Sequence, residues 1–175
     1  MIIINRWLDI VSTWSTRLHT LDLVRDFVGQ GQFTDALLLG MGGSSLCAHV
    51  LAKSFSKQEG FPLLQILDSI DPAQVRRVRD ALDLDRCLFV VSSKTGNTLE
   101  TNLLYQYFFD ERRKRCGQDA GLQFIAITDS GSTLQDIAVR DGFAQIHEGV
   151  LSIGGRYSAL SNVGMVPAAL MGLNT

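Results

Sequence analysis

Short apolar runs alternate with segments of helical periodicity along this chain of 175 residues. The runs are too short for helices and predict five buried strands, over residues 35–40, 63–67, 87–91, 124–128 and 143–147. Apolar residues at helical spacing follow each of the first four runs and return after residue 160. Strands that alternate with helices imply a parallel sheet covered on both faces. We therefore predict an α/β fold, a three-layer α/β/α sandwich with a five-stranded parallel sheet.

The segment before the first strand is predicted to be helical. Between positions 6 and 28, apolar residues that include Trp7 and Trp14 have the spacing of one or two amphipathic helices. The apolar N-terminus runs directly into polar and charged residues and lacks the features of a signal peptide, and no segment approaches the length of a membrane span. The predicted organisation is an N-terminal helical segment, 1–34, and one α/β domain, 35–175.

The most informative stretch is 87–101, where the third strand passes into a helix through the polar loop SSKTGNT at 92–98. A helix N-terminus presents unpaired backbone N–H groups and the positive end of the helix dipole, which together favour phosphate. Four hydroxyls and Lys94 add donors on the same side. An ordinary capped helix is the alternative, but a cap needs one hydroxyl. The loop therefore predicts a phosphate site.

A second junction of this kind, MGGSS at 41–45, follows the first predicted strand. Its glycines can simply turn the chain tightly, so the motif is weak on its own. The third glycine of a dinucleotide fingerprint and a Walker lysine are both missing, which argues against a nucleotide, and we expect neither a cofactor nor a metal. In parallel sheets, ligands bind at the carboxyl ends of strands where the chain order reverses. We expect loops 41–45 and 92–98 to lie side by side there.

The third motif is GGRYS at 154–158, which leads into an apolar helical segment. Its glycine pair lets the backbone approach a ligand closely while Arg156 reaches over it. The same residues can also form a plain turn with a surface arginine, and the motif alone does not decide between the two.

Charge and cysteine content narrow the classes of partner. With a formal net charge of −2 and no basic stripe interleaved with aromatic residues, a nucleic-acid surface is not expected. The one basic cluster, 112–115, is predicted to be a solvated helix end, because positive charge is favourable at a helix C-terminus. Three cysteines without a CxxC pair indicate reduced thiols in a cytoplasmic protein.

Three stretches, GMGGS at 40–44, SKTGNTLET at 93–101 and GGRYS at 154–158, together resemble the glucose-6-phosphate isomerase family. This family is a branch of the sugar-isomerase (SIS) fold, which is flavodoxin-like. Order and separation of the motifs match the first SIS subdomain, and the likeness runs from about residue 35 to the end. The sequence SSKTGNT resembles the bacterial branch of the family, which includes isomerases fused behind a transaldolase. Nothing in this chain resembles a transaldolase barrel.

The resemblance implies the interconversion of glucose 6-phosphate and fructose 6-phosphate through a cis-enediol. It assigns the phosphate to Ser93, Lys94, Thr95 and Thr98. It places Gly42, Gly43, Ser44 and Gly155 against the substrate. Arg156 would stabilise the negative charge that develops on the enediolate oxygens, a role that suits a fixed cation in a water-poor site. Glu100 matches a supporting glutamate of the family and not its base.

In the family, the base glutamate, a histidine from a partner subunit and a C-terminal lysine come from the second half of the protein. The present chain ends at Thr175, which the pattern places in mid-helix, so we expect it to lack that half and to be catalytically silent. The apolar residues of 157–175 would then be partly bare and would self-associate. The expected partners are a hexose 6-phosphate, the second SIS subdomain and a second copy of the chain.

Two other classes of protein stay open. A stand-alone SIS module that senses a phosphosugar and regulates a partner would keep the phosphate loop but would not need Arg156. A short phosphosugar isomerase, complete as an oligomer, would need its own base and acid. Glu100, His147 and Glu148 are the candidates for these roles, but no spacing recommends them.

Overall fold

The computed structural model describes residues 8–11 and 18–174. Trp7 and Trp14, with much of the predicted N-terminal helical segment, lie outside the described residues. The elements follow in the order α1 Leu18–Gly31, β1 Asp35–Gly40, α2 Leu46–Ser54, β2 Leu63–Leu67, α3 Pro72–Ala81, β3 Cys87–Ser92, α4 Leu99–Cys116, β4 Phe124–Thr128, α5 Thr133–Arg140, β5 Gln145–Glu148 and α6 Asn162–Leu170. Short 3-10 turns at Gly42–Ser44 and Gly155–Tyr157 precede α2 and α6.

Within the described residues the strands form one parallel sheet in the order β2-β1-β3-β4-β5. Strands β1 and β3 pair along their whole length, from Asp35↔Cys87 to Gly40↔Ser92. Every residue of β3 and β4 is buried, which explains why both strands read as continuous apolar runs and not as alternating patterns. The predicted fold class is confirmed.

Helices cover both faces of the sheet. One face packs against α1, α2 and α6, and the other packs against α3, α4 and α5. Successive strand residues point to opposite faces, so Val90 belongs to the first core and Phe89 to the second. In the second core the rings of Phe89 and Phe124 stack with centroids 4.7 Å apart. Because α1 contributes to the first core, this part of the N-terminal segment packs directly on the sheet.

The fifth strand begins two residues later than the 143–147 range predicts. The N–H of Phe143 donates to the carbonyl of Ala138 and closes the end of α5. Ala144 donates to the carbonyls of Gly121 and Phe124 before the ladder starts. The apolar character of Phe143 therefore reflects its packing on Phe124, with ring centroids 5.2 Å apart, and not a place in the strand.

The basic cluster 112–115 is not wholly a solvated helix end. Arg112 is 6% exposed, and its guanidinium is hydrogen-bonded and ion-paired to Asp85. Arg115 adds a second contact to the same carboxylate at 3.3 Å. The hydrogen bond from Arg112 holds the pKa of the Asp85 carboxyl below its usual range. The cluster thus fastens the last turn of α4 to the turn that precedes β3, while Arg113, Lys114 and Arg115 are exposed as predicted.

The apolar residues of the 157–175 end are partly bare, as predicted, but those of α6 are mostly buried. Val166, Ala169 and Leu170 are fully buried in the first core, whereas Tyr157 and Leu160 before the helix are exposed. The helix ends at Leu170 and residues 171–174 are not helical; the expected mid-helix position falls on Thr175, which lies outside the described residues. Neither α6 nor any other helix in the described parts of the chain is long and apolar enough to cross a membrane.

His147 on β5 is a buried ionisable group. It is 4% exposed, its Nε2 lies 2.8 Å from Oε1 of Gln145, and its Nδ1 has no hydrogen-bond partner within the described residues. The amide of Gln145 also donates to the carbonyl of Leu23 in α1. Burial lowers the pKa of His147 to about 4 because the charged imidazolium loses its hydration.

We predict that this histidine makes the fold acid-sensitive. The unfolded chain takes up a proton near the ordinary pKa of histidine, whereas the folded chain resists protonation down to about pH 4. The contribution of the buried, neutral His147 to the free energy of unfolding is therefore complete above about pH 6.5. It is lost as the pH falls towards 4, and the total loss is about 3 kcal/mol. Urea unfolding between pH 4 and 7.5 measures it.

The His147→Gln variant should flatten this pH profile, and replacement of the exposed His49 by Gln is the matched control. A wild-type profile that the His147→Gln variant reproduces in shape would show that other groups cause the acid sensitivity.

Candidate functional site

Two loops meet where the chain order of the sheet reverses. From β1 the chain moves outwards to β2 and then crosses back to β3 on the other side of β1. The last residues of β1 and β3, Gly40 and Ser92, are paired neighbours in the ladder. Loops 41–45 and 93–98 therefore leave adjacent strands at the same carboxyl edge. Their predicted side-by-side position is confirmed, and it is the position at which doubly wound sheets bind ligands.

The third motif joins this edge through a contact between two backbones. A Cβ atom added to Gly43 would lie 2.6 Å from the carbonyl carbon of Gly155, so no larger residue fits there without movement. Ser44, Lys94, Asp129 and Gly155 help to line a cavity of about 20 Å³ between the loops. A cavity of this size holds about one water molecule. A ligand larger than water must therefore bind on the open side of the loops.

The loop before α4 leaves donors free for an anion. Thr98 is the N-cap residue of α4, but its side chain makes no capping hydrogen bond; the Oγ atoms of Ser93 and Thr98 lie 3.5 Å apart. The N–H groups of Gly96 and Asn97 are satisfied within the loop, by Ser93 Oγ and Thr95 Oγ1. The N–H groups of Lys94, Thr95 and Thr98 have no acceptor within the described chain. Such groups need water or a ligand.

Gly96 sets how this loop packs. Its φ angle is +76°, a left-handed conformation that favours glycine, and a Cβ atom here would overlap the backbone nitrogen of Leu134. The loop is thereby seated against the first turn of α5, where the hydroxyl of Thr133 donates to Oδ1 of Asn97 at 3.0 Å. Both contacts hold the loop before α4 against the same turn of α5.

The ammonium group of Lys94 contacts the segments that follow β4 and β5. Its Nζ atom lies 2.5 Å from a carboxylate oxygen of Asp129 and 3.2 Å from each of the carbonyl oxygens of Val150 and Leu151. These residues follow β4 and β5. The sequence did not point to Asp129, although it follows a strand that neighbours β3 just as Lys94 follows β3 itself.

Arg156 and Glu100 are both accessible. Arg156 is exposed on the Gly155–Tyr157 turn, and Glu100 is half-buried in the first turn of α4. Within the described part of the chain, neither side chain takes part in a hydrogen bond or ion pair. The structure therefore brings Gly43 into contact with Gly155, places Ser44 and Gly155 in the lining of the cavity, and leaves Arg156 exposed on the turn that begins at Gly155.

A groove of about 340 Å³ between α3 and α4 contains none of the predicted site residues. It is lined mainly by apolar side chains, among them Ile70, Val75, Leu103 and Tyr107. Apart from the guanidinium of Arg76 and the hydroxyl of Tyr107, its lining side chains are apolar. The carboxyl edge of β1 and β3 is the better candidate site.

Fold and site together define a doubly wound α/β protein with free anion donors at its topological switch point. The family model described as phosphoglucose isomerase matches residues 5–175. The chain therefore belongs to the phosphoglucose isomerase family, as the three motifs predicted.

Relatives with this name are similar over most of the chain. The glucose-6-phosphate isomerase of Cyanothece sp. (strain PCC 7425) is 37% identical over 149 residues, which are 82% of this chain and 27% of that protein. That of Synechococcus sp. (strain JA-2-3B'a(2-13)) is 32% identical over 171 residues, which are 94% of this chain and 31% of the relative. The chain thus spans less than a third of the length of these relatives.

Two solved structures are similar in fold and sequence. A hypothetical protein from Thermus thermophilus superposes with a TM-score of 0.83 and 29% identity, over 98% of this chain and 40% of that one. A glucose-6-phosphate isomerase from Chlamydia trachomatis gives a TM-score of 0.74 and 27% identity, over 95% of this chain and 30% of that one.

The contact between Gly43 and Gly155 yields a prediction about stability. Gly43→Ala should lower the free energy of unfolding by about 1–3 kcal/mol, because the added methyl group overpacks the two turns. Gly154→Ala is the matched control: a Cβ atom there meets nothing within 4 Å and the backbone is extended, so stability should stay equal or rise by up to about 1 kcal/mol. Urea titration measures both variants, and equal stabilities would show that the turns separate freely.

Proposed function

We propose that this chain is the phosphosugar-binding part of a glucose-6-phosphate isomerase, which interconverts glucose 6-phosphate and fructose 6-phosphate. The observation that carries the proposal is the set of unused donors at the start of α4. They lie at the switch point of the sheet, where the Gly42–Ser44 turn (the glycine turn) and the turn with Arg156 also lie. The names of the similar proteins support the choice of substrate.

In this proposal the phosphate binds over the N-terminus of α4. Ser93, Thr95 and Thr98 supply hydroxyls, and Lys94 supplies its free backbone N–H. A hydroxyl that only capped the helix would accept a hydrogen bond from the first turn, and Thr98 accepts none there. Each hydrogen bond to the dianion contributes roughly 1.5–3 kcal/mol, and the helix dipole adds to this.

The sugar would lie across the turns Gly42–Ser44 and Gly155–Tyr157. Gly42, Gly43, Ser44 and Gly155 present backbone and one hydroxyl without side chains that would block the approach. Arg156, exposed beside them, would stabilise the charge that develops on the enediolate oxygens. Glu100, half-buried in the first turn of α4, would support the phosphate loop and not act as the base.

Proton transfer needs groups that these loops do not supply. The imidazole of His147 is buried on β5 and bonded to Gln145, so it does not face the sugar site. Glu148 is exposed at the end of the edge strand β5, three strands away from β1. These positions argue against the short, self-sufficient isomerase. We propose instead that a second SIS subdomain supplies the base and the acid.

The surface around the site suits such a partner. Four apolar side chains near the site are between 44% and 60% exposed. They are Leu46 and Val50 on α2, Tyr157 on the Gly155–Tyr157 turn (the arginine turn) and Leu160 just after it. An exposed apolar surface beside an open site favours coverage by another part of the protein, or by a second copy of the chain. In this proposal residues 35–175 are the first SIS domain and residues 1–34 are an N-terminal helical segment, of which α1 packs on the sheet.

We also propose a cytoplasmic location, supported by Cys47, Cys87 and Cys116, which are all free thiols. The regulatory module remains the second candidate function. It shares the phosphate site but gives no role to an arginine placed beside the glycine turns.

The phosphate site can be tested with 6-phosphogluconate, a phosphorylated sugar acid. Replacing both Ser93 and Thr98 by alanine should weaken its binding at least about 100-fold, because each lost hydrogen bond to a charged group costs roughly 1.5–3 kcal/mol. Thr34→Ala removes a hydroxyl at the opposite, amino end of β1 and should leave the affinity unchanged. Isothermal titration calorimetry on folded variants decides, and equal affinities would mean that the loop only caps α4.

Catalysis gives a separate test. The 175-residue chain alone should show no turnover of fructose 6-phosphate in a coupled assay, because a base and an acid typically contribute about 10²–10⁴-fold each. Turnover that disappears in an Arg156→Ala variant would show that the chain works without a second subdomain and would reinstate the short isomerase.

A further inference from the structure

The side chain of Lys94 links three loops at the carboxyl edge of the sheet. An ammonium group has three N–H donors, and here it has three acceptors: the Asp129 carboxylate after β4, and the carbonyls of Val150 and Leu151 after β5. The backbone of Lys94 adds two contacts to the same region, since its carbonyl accepts hydrogen bonds from Asp129 N–H at 3.0 Å and Thr128 Oγ1 at 3.2 Å.

Asp129 is held from both sides and cannot easily turn away. It is 7% exposed, with one carboxylate oxygen on Lys94 and the other against Gly149, where a Cβ atom would overlap it. The N–H of Gly149 donates to the carbonyl of Thr128 at 2.7 Å. The ion pair is therefore built into the junction between β4 and the segment after β5.

That segment leads directly to the arginine turn. The Lys94 ammonium holds the carbonyls at 150 and 151, the chain turns at Val150–Ile153 with a hydrogen bond of 2.9 Å, and Ile153 is buried in the first core. The next residues form the turn that presents Arg156 and touches Gly43. Contacts are therefore continuous from loop 93–98 (the anion loop), through residues 149–153, to the turn that carries Arg156.

We propose that the ammonium of Lys94 is a positioning group and not an anion ligand: through Asp129 and the carbonyls at 150 and 151, it fixes the arginine turn relative to the anion loop. The inference refines the proposed function, because it separates the backbone of Lys94, which faces the phosphate, from its side chain. In a phosphosugar site, this link sets the distance between the group that holds the phosphate and the cation that acts on the sugar.

The first test needs no ligand. Hydrogen exchange followed by mass spectrometry reads the amides of Gly149, Ile153 and Tyr157, which are protected by hydrogen bonds within and beside this segment. In Lys94→Met and in Asp129→Asn, peptides over 149–158 should exchange at least about tenfold faster, while peptides over β3 stay unchanged. Lys94→Arg keeps a cationic donor and should restore protection. Unchanged exchange in Lys94→Met overturns the proposal.

The second test compares ligand affinity in two variants that change the charge in opposite directions: Lys94→Met removes a positive charge and Asp129→Asn removes a negative one. If the ammonium binds the anion, Lys94→Met weakens the binding of inorganic phosphate and of 6-phosphogluconate alike, whereas Asp129→Asn, which frees the ammonium, strengthens both. If it positions the arginine turn, both variants weaken 6-phosphogluconate by about tenfold or more and keep phosphate within about threefold. A general loss of stability does not produce this split.

The two proposals fail in different ways. A wild-type chain that binds neither ligand contradicts the proposed function, and the exchange experiment still decides whether Lys94 holds the 149–158 segment. A wild-type chain that binds both, with opposite effects of the two variants, makes the ammonium an anion ligand and overturns the positioning role.

Discussion

The pairing of β1 with β3 is the contact on which the site depends. These strands are separated in the chain by β2 and two helices, yet they form a complete parallel ladder in which every residue except Asp35 is buried. A parallel neighbour can be reached only by a crossover, so the chain must leave β1 on one side and return on the other. That reversal places the glycine turn and the anion loop together. The candidate site depends on both loops.

Local sequence was sufficient for the strands and for most of the helices, because burial on both faces gives an unbroken apolar run that few other structures produce. It was less informative about which side of a helix is buried. Leu99, Leu103, Leu104 and Phe108 show helical spacing, yet Leu99 is 66% and Leu103 is 44% exposed, whereas Leu104 and Phe108 are buried. Arg112 shows the reverse, a charged residue taken into the interior because Asp85 neutralises it.

The parts of the site that the sequence could not reveal are contacts between residues far apart in the chain. The loop SSKTGNT has a local signature, since a strand, hydroxyls and a helix follow one another directly. The partner of Lys94 has none: Asp129 lies 35 positions later and is ordinary as a turn residue. The same holds for the approach of Gly43 to Gly155. A motif identifies which residues carry hydrogen-bond donors. Only the fold shows which of these donors already have a partner within the protein.

The positioning role that we propose for Lys94 would explain how a lysine can stand in a phosphate motif without lending its charge to the phosphate. A flexible ammonium above an open helix N-terminus would be strongly hydrated and loosely placed. Held by a nearly buried carboxylate and two carbonyls, the ammonium in the role we propose would instead make the neighbouring loops rigid, and rigid donors need no reorganisation when an anion arrives. The proposed anion would then be left to fixed backbone N–H groups, hydroxyls and the helix dipole. A site built in this way would gain order from its cation and affinity from its backbone.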